Sequence, residues 1–299
     1  MRIIEVERSI KTDLLGYISL ISLYNKMAAS DDPDIELSFR KTVWFEANLA
    51  SVLGAIVCLI RKRGYSVSFS NFSSALRGIL TRNGFLNSGN VDRANVSTDT
   101  IISFQQFTPG QDGAFNEYIS RELLSKKDFP NHSPLLGKRI GESIFEIFEN
   151  ARTHGKCEYI HTCGQYFPQH TPARLDMTIV DVGNTIFNNV NHYLALKPLK
   201  RVLEAHEAIE WAIQKGNTTK TDRTGGLGLS ILIDFVELNK GIVQFVSANG
   251  YWQYKNGNVF KKVIPYMFPG TIVNVEFNFD DDSFYHLKNE PIISLDDIF

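Results

Sequence analysis

The sequence has few cysteines and no long apolar run. Its three cysteines, Cys58, Cys157 and Cys163, are an odd number without framework spacing, which argues against a disulfide-stapled secreted domain and favours a reducing cytosol. The longest apolar run, Leu49–Ile60, has twelve residues, fewer than the ~18–20 that cross a bilayer. The first eight residues mix both charge signs, which argues against a cleaved signal peptide. We therefore expect a cytoplasmic protein without membrane insertion.

A large excess of either charge is also missing. The 299 residues include 31 Lys and Arg against 33 Asp and Glu, a net charge of -2. This balance gives no whole-molecule case for nucleic-acid binding. What is present is a globular composition with 43% hydrophobic residues. The length predicts two domains at roughly 100–200 residues per domain.

The first part of the chain predicts a small α/β domain. Its elements are an extended start, an apolar helix, a strand with period-two alternation and a second helix, at residues 37–43, 49–60, 65–70 and 74–80. Such short connections favour parallel strands with helices packed on them, and Gly64 and Gly84 stand where the helices should stop. The polar residues 87–99 predict a linker, so we expect domains at 1–100 and 101–299.

The second part predicts helices and strands with the strands gathered late, which gives the whole chain an α/β (α+β) class. Predicted strands lie at 101–104, 175–180, 242–246 and 271–279, and predicted helices at 114–125, 135–152, 199–214 and 227–238. We expect a mixed sheet covered by helices on one face. The long polar stretch 184–224 is expected to contain one helix, that at 199–214.

The predicted helix 135–152 carries a row of polar side chains that continues to His154. Glu146, Asn150 and His154 are four residues apart, so they lie one turn above another on a face separate from the apolar one. The amide oxygen of Asn150 can bind a hard cation such as Mg²⁺, and the carboxylate of Glu146 can orient or deprotonate a water. A solvated helix face shows the same pattern, so the row alone does not select a function.

The predicted strand 175–180 delivers Asp181 to its C-terminal end, and Gly183 lets the chain turn there. An ionised aspartate only accepts hydrogen bonds and suits an exocyclic amine such as adenine N6. The alternative interpretation is an aspartate that caps a turn.

A glycine-rich loop opens the helix 227–238. Its residues are Thr224, Gly225, Gly226, Leu227, Gly228 and Leu229. Closely spaced glycines let backbone amides approach a phosphate, and the helix N-terminus adds unpaired donors. A Walker loop would end in Gly-Lys-Ser/Thr and a Rossmann loop should follow a strand, and this loop does neither. A plain hinge is the alternative interpretation.

The three motifs together resemble the histidine-kinase-like ATPase superfamily, often called GHKL. They occur in the order Glu146 with Asn150, then Asp181-x-Gly183, then Gly226-x-Gly228-Leu229. The resemblance covers residues 110–280 and implies a two-layer α/β sandwich that binds Mg-ATP between its helices and one face of its sheet.

The resemblance also implies a role for each motif residue. Asn150 would ligate Mg²⁺, Asp181 would read adenine, and Glu146 stands where the hydrolytic and serine-kinase branches keep a general base. The loop 224–229 would hold phosphates beneath a mobile lid at 187–224, and Thr271 would complete the nucleotide site. We expect this lid to be mobile because a long polar connection has few apolar contacts.

Two details indicate which branch of that superfamily the chain resembles. The sequence from Glu146 to His154-Gly155 is similar to that of the anti-sigma-factor serine kinases. The absence of a histidine before His132 disfavours an autophosphorylating histidine kinase. Thr185 departs from the pattern, which has a second glycine there, and the N-terminal part faintly resembles STAS-like domains.

A zinc site is the weaker interpretation of a second group of residues: His154, Cys157, His161, Cys163 and His170. Five residues separate the two cysteines, rather than the two to four typical of a zinc site. Core cysteines and surface histidines explain the group more simply.

Two functional hypotheses follow. The first is a cytosolic regulator that binds Mg-ATP and hydrolyses it or transfers its γ-phosphate to a protein partner. The second is a non-catalytic interaction module with a degenerate or structural nucleotide site. Glu146 favours the first hypothesis and Thr185 the second, and a homodimer is compatible with both.

Overall fold

The computed structural model describes residues 1–86, 100–126, 129–198, 201–217, 219, 228–280, 282–287 and 290. Helices occur with a parallel three-stranded sheet, an antiparallel five-stranded sheet and one further strand pair, which confirms the α+β class. Within the described ranges, no helix combines the length and the apolar character needed to span a membrane.

The N-terminal unit contains a parallel sheet with helices. Its elements are β1 (Arg2–Glu5), β2 (Ser9–Ile10), α1 (Leu14–Ala28), β3 (Asp34–Ser38), β4 (Trp44–Phe45), α2 (Ala50–Lys62), β5 (Ser66–Ser70) and α3 (Ser74–Arg82). Strands β1, β3 and β5 are parallel and adjacent in that order. The parallel pair β3–β5 is the one that the short connections predict, whereas β1, β2 and α1 have no counterpart in the sequence prediction. Gly64 and Gly84 follow α2 and α3 with φ of +90° and +89°, a backbone conformation that favours glycine.

The second part of the chain forms the antiparallel sheet and the helices around it. Its elements are β6 (Ile101–Phe107), α4 (Asp112–Ile119), α5 (Pro134–Asn150), β7 (Ile160–Phe167), β8 (Arg174–Val182), α6 (Ile186–Ala195), α7 (Ala205–Ile213), α8 (Gly228–Leu238), β9 (Ile242–Lys255) and β10 (Asn258–Asn278). The strand order is β6-β7-β8-β10-β9, and every neighbouring pair is antiparallel. The expected mixed sheet is therefore wrong. A π-helical turn extends α4 over Ser120–Leu124 and α5 over Ala151–Gly155.

Strands β9 and β10 form a hairpin much longer than the two short strands predicted at 242–246 and 271–279. Asn256 and Gly257 make its turn with φ of +50° and +76°. A two-residue hairpin turn needs two such left-handed residues, and an Asn-Gly pair is its strongest sequence signal. This signal explains why residues 247–270 are strand for most of their length.

Both faces of the five-stranded sheet are buried, which corrects the prediction of a single covered face. Helices α4, α5 and α8 pack on one face, around buried side chains such as Phe148 and Phe235. On the other face, α1 and α2 lie between the two sheets, and Ile56 shares an apolar cluster with Val180. The predicted linker 87–99 lies outside the described residues, and the division into two domains stays a prediction.

Buried polar contacts also join the N-terminal unit to the sheet. Asn48 donates to the Thr178 hydroxyl at 3.0 Å. Arg174 of β8 forms ion pairs with Glu46 of the N-terminal unit at 2.9 Å and with Asp176 at 3.2 Å. Because a buried polar group is costly when it loses its partner, these contacts favour one relative position of the two parts.

His161 of β7 is buried without a hydrogen bond. Its side chain is 2% exposed, and neither ring nitrogen has a partner among the described residues. Burial lowers the pKa of His161 from 6.5 to about 4, because the charged ring would lose its hydration. The neutral ring therefore contributes stability that is complete above pH 6.5 and is lost as the pH falls through 4.

We expect the loss of stability at low pH to appear when wild type is compared with His161→Leu. Between pH 7 and pH 4, the free energy of unfolding of wild type should fall by about 2–3 kcal/mol more than that of the variant. Urea unfolding at each pH measures the difference, and the carboxylates common to both proteins cancel. Parallel pH curves for the two proteins would contradict the expectation.

Candidate functional site

One cavity opens on the face of the five-stranded sheet that α5 and α8 cover, beside α5, α6 and α7. Together with the open solvent at its mouth, the cavity encloses about 950 Å³ of space not filled by protein atoms. Its apolar wall is formed by Ile147, Ile179, Ile186, Val190, Ile213, Phe245 and Val273. Its polar side chains are Glu146, Asn150, His154, Asp181, Asn184, Asn189, Asn217, Thr219 and Thr271. Four residues predicted from the sequence, Glu146, Asn150, Asp181 and Thr271, therefore line the same cavity.

Helix α5 supplies one polar side of the cavity. Ser133 caps its N-terminus by accepting a hydrogen bond from the Leu136 N–H at 3.1 Å. Glu146 and Asn150 are half-buried, and neither side chain has a hydrogen bond or ion pair with a described residue. Both polar groups are therefore available to a ligand. The row continues to His154 through the π-helical turn, a feature that is frequent at functional sites.

Asp181 supplies a buried acceptor from β8. The residue is 6% exposed, and no described residue forms a hydrogen bond with its Oδ1. Burial raises the pKa of Asp181 well above its usual value, and a hydrogen bond from the Thr271 backbone only partly opposes this. A ligand that donates a hydrogen bond to such a buried carboxylate would therefore stabilise it strongly.

Two glycines allow Asp181 to lie against the end of α5. A Cβ on Gly183 would lie 2.2 Å from the Gly155 carbonyl oxygen, and a Cβ on Gly155 would lie 2.9 Å from Asp181 Oδ1. The Asn184 N–H donates to the same Gly155 carbonyl at 2.6 Å. Gly183 is thus required by close backbone approach rather than by a left-handed turn. This approach brings the motif on β8 to the motif on α5.

Thr185, which stands where the resembled superfamily has a glycine, is the N-cap of α6. Its hydroxyl accepts a hydrogen bond from the Asn188 N–H at 3.2 Å, the role of an N-cap. The next N–H, that of Ile186, donates to the Ser247 hydroxyl at 3.0 Å, which fixes the start of α6 on β9. The stretch 184–224 therefore contains two helices, α6 and α7, and the prediction of a single helix there is wrong.

The described part of the lid 187–224 has its own apolar cluster. Val190, Leu203 and Ala208 are buried together, and Trp211 packs against them. The expectation of few apolar contacts is therefore wrong for α6 and α7, and the mobility of the lid stays a prediction. Residue 219 approaches the end of α5, because Thr219 Oγ1 lies 3.2 Å from His154 Nδ1.

The glycine-rich loop falls mostly outside the described residues. Thr224, Gly225, Gly226 and Leu227 are not described, whereas Gly228 and Leu229 form the first turn of α8. The predicted helix start is thus confirmed to within one residue. Helix α8 packs beside α5 on the same face of the sheet.

The cysteines do not converge on one site. Cys157 belongs to the apolar cluster under α5 and α8, whereas Cys163 belongs to the cluster on the opposite face of the sheet. In the part of the chain that the structure describes, no group of three His, Cys, Asp or Glu side chains could hold a metal ion.

The side of the cavity formed by α6, α7 and their connections was not predicted from the sequence. Asn184, Asn189, Trp211 and Asn217 come from four separate positions in a stretch without a motif. The Asn189 side chain donates to the His154 carbonyl at 3.0 Å, a contact visible only in the folded chain. Comparison with known proteins adds no assignment: no protein-family model matches the chain, and no curated protein is similar to it.

Proposed function

We propose that the protein is a cytosolic ATP-binding regulator of the histidine-kinase-like ATPase superfamily. It binds Mg-ATP in the cavity beside α5 and hydrolyses it or transfers its γ-phosphate to a protein partner. The observation that carries the proposal is that the buried carboxylate of Asp181, whose Oδ1 has no hydrogen-bond partner among the described residues, lines the same cavity as Glu146 and Asn150. An apolar pocket with a few convergent polar groups is the arrangement typical of a small-molecule site.

Each polar group has a distinct task in this proposal. The Asp181 carboxylate accepts a hydrogen bond from the adenine amine, and the apolar wall around Ile179 and Val273 covers the base. The Asn150 amide oxygen holds Mg²⁺, which neutralises charge on the phosphates when bound. The Glu146 carboxylate takes a proton from the attacking water or from a hydroxyl of the partner.

Calorimetric titration with ATP and ADP, each with and without Mg²⁺, tests the binding step. We expect Mg-ATP to bind with measurable heat and with higher affinity than metal-free ATP, because the metal joins protein and phosphates. Absence of binding heat for both nucleotides under all four conditions would overturn the proposal.

Trp211 offers a second readout because it lines the cavity. We expect saturating Mg-ATP to change the tryptophan emission of wild type, since a ligand in the cavity alters the surroundings of this indole. Trp211→Phe should lose most of the change, whereas Trp44→Phe should keep it, because Trp44 lies in the N-terminal unit. The third tryptophan, Trp252, packs on Phe245 of the cavity wall and can contribute a smaller change. A change of undiminished size in Trp211→Phe would place the ligand elsewhere.

A further inference from the structure

The end of the β9–β10 hairpin extends beyond the sheet. Pairing of β10 with β8 stops at Gly270 opposite Val182, so the earlier residues of β10 pair with β9 alone. We call residues 251–268 the hairpin arm. Among the described residues, no strand pairs with the outer edge of the arm at 258–268.

The arm exposes an unusual amount of apolar surface. Five large apolar side chains within nine residues are at least 38% exposed: Val259, Phe260, Val263, Tyr266 and Met267. Apolar groups gathered in one exposed place mark an interaction site more often than the single exposed residues found on every protein.

The arm also has charge of one sign. Residues 241–275 contain three lysines and no aspartate or glutamate. Lys261 pairs with Glu210 at 2.7 Å, whereas Lys255 and Lys262 have no acidic partner within the described chain. Two arms would repel each other if they paired edge to edge, so the surface fits an acidic partner.

The free edge is suited to an added strand. The two-residue turn makes Lys255 and Asn258 a hydrogen-bonded pair, so Val259, Lys261 and Val263 direct their backbone N–H and C=O groups outward. Pro265 lacks an N–H and ends this edge. The edge therefore accepts a short extended segment through backbone hydrogen bonds, with apolar and basic side chains on either side.

We infer that residues 291–299 of a second copy of this chain dock on the hairpin arm as an added strand. This segment, Pro-Ile-Ile-Ser-Leu-Asp-Asp-Ile-Phe, combines five large apolar side chains with Asp296 and Asp297 and has no cation. It complements the arm in both apolar character and charge.

The segment is too short to pair with the free edge at Val259–Val263 of its own copy. Glu290 accepts a hydrogen bond from the Ser133 hydroxyl at 2.7 Å, at the end of the sheet where β10 finishes at Asn278. Because the register of β10 shifts twice against β9, the fifteen residues from Asn278 back to Val263 run beside only about ten residues of β9, or about 33 Å of strand. Nine extended residues reach about 30 Å at most. Docking therefore joins two copies.

A second basic cluster, Arg61, Lys62 and Arg63 at the end of α2, is a poorer acceptor for the acidic segment because its side chains already have partners. Arg61 donates to the Val67 carbonyl at 2.7 Å, Lys62 pairs with Glu158, and Arg63 donates to the Tyr24 hydroxyl at 2.7 Å.

Charge exchange tests the docking by sedimentation velocity over a dilution series of the full chain without nucleotide. Wild type should self-associate, and Lys262→Glu and the double variant Asp296→Lys/Asp297→Lys should each weaken association by about three- to tenfold. The variant that combines all three changes should recover the wild-type constant to within about twofold, since the charges again oppose each other. Lys11→Glu, an exposed change in the N-terminal unit, should have no effect.

A labelled peptide of residues 288–299 provides a second measurement that does not depend on the folding of tail variants. It should bind wild type and lose affinity for Lys262→Glu, whereas a scrambled peptide should not bind. A monomer at every concentration, no recovery in the combined variant, or binding of the arm to anionic vesicles instead of the peptide would overturn the inference. Because nucleotide is absent throughout, such a failure leaves the proposed ATP site untouched.

Discussion

Asp181→Asn should stabilise the ligand-free protein at neutral pH and at the same time weaken ATP binding. The buried, unpartnered Oδ1 makes the ionised carboxylate costly, and the pKa of Asp181 is raised for this reason. A neutral amide removes that cost, so the free energy of unfolding should rise by about 1–3 kcal/mol. The amide is also a weaker acceptor for the adenine amine, so ATP affinity should fall by about 1–3 kcal/mol.

The pH dependence distinguishes this cause from a general effect on packing. A raised pKa in the folded state means stability that is complete below the unfolded pKa and is lost as the pH rises through the folded value. Wild type and Asp181→Asn should therefore converge in stability toward pH 4 and separate toward pH 7. Urea unfolding measures the first effect and calorimetric titration with ATP the second.

Asp31→Asn is a matched control, because the same substitution is made at an exposed loop in the N-terminal unit. It should change neither stability nor affinity appreciably. Unchanged ATP affinity in Asp181→Asn would remove Asp181 from the nucleotide site, whatever the stability shows.

Glu146→Gln should leave ATP binding intact and abolish most phosphoryl transfer. The glutamine keeps the shape of the side chain but cannot accept a proton, and general-base assistance contributes roughly 10²–10⁴-fold. Glu146 has no hydrogen bond or ion pair with a described residue that the substitution would break, so the fold should be little affected. Single-turnover ATP hydrolysis measured beside nucleotide titration separates the two effects.

Asn150→Ala should instead weaken the Mg²⁺-dependent part of ATP binding. Loss of its amide oxygen removes a protein ligand of Mg²⁺, so the advantage of Mg-ATP over metal-free ATP in titration should shrink. Metal-free ATP should bind as before, which provides the internal control. Equal rates for wild type and Glu146→Gln, both at the solvent background with candidate partners present, would favour the non-catalytic interaction module instead.

Local features of the candidate site follow from the sequence because they depend on near neighbours. The spacing of four puts Glu146 and Asn150 on one face of α5, and strand alternation ends at Asp181. The prediction of a single helix in 184–224 is wrong although a local signal for α6 is present. Thr185 is the N-cap of α6 because its hydroxyl accepts a hydrogen bond from the first turn, but in the sequence it is interpreted only as a departure from a glycine pattern.

The sequence by itself determined the α+β class, most element positions and which side chains of each motif share a face, since helix and strand periodicity act over at most four residues. Only the tertiary structure decided that these motifs meet. Asp181 and Thr271 are 90 positions apart and become neighbours through the register of β8 and β10. The contact of Gly183 with Gly155 then brings this pair to α5. The burial of Asp181, which makes it a strong site for a donor, likewise arises from packing by elements distant in sequence.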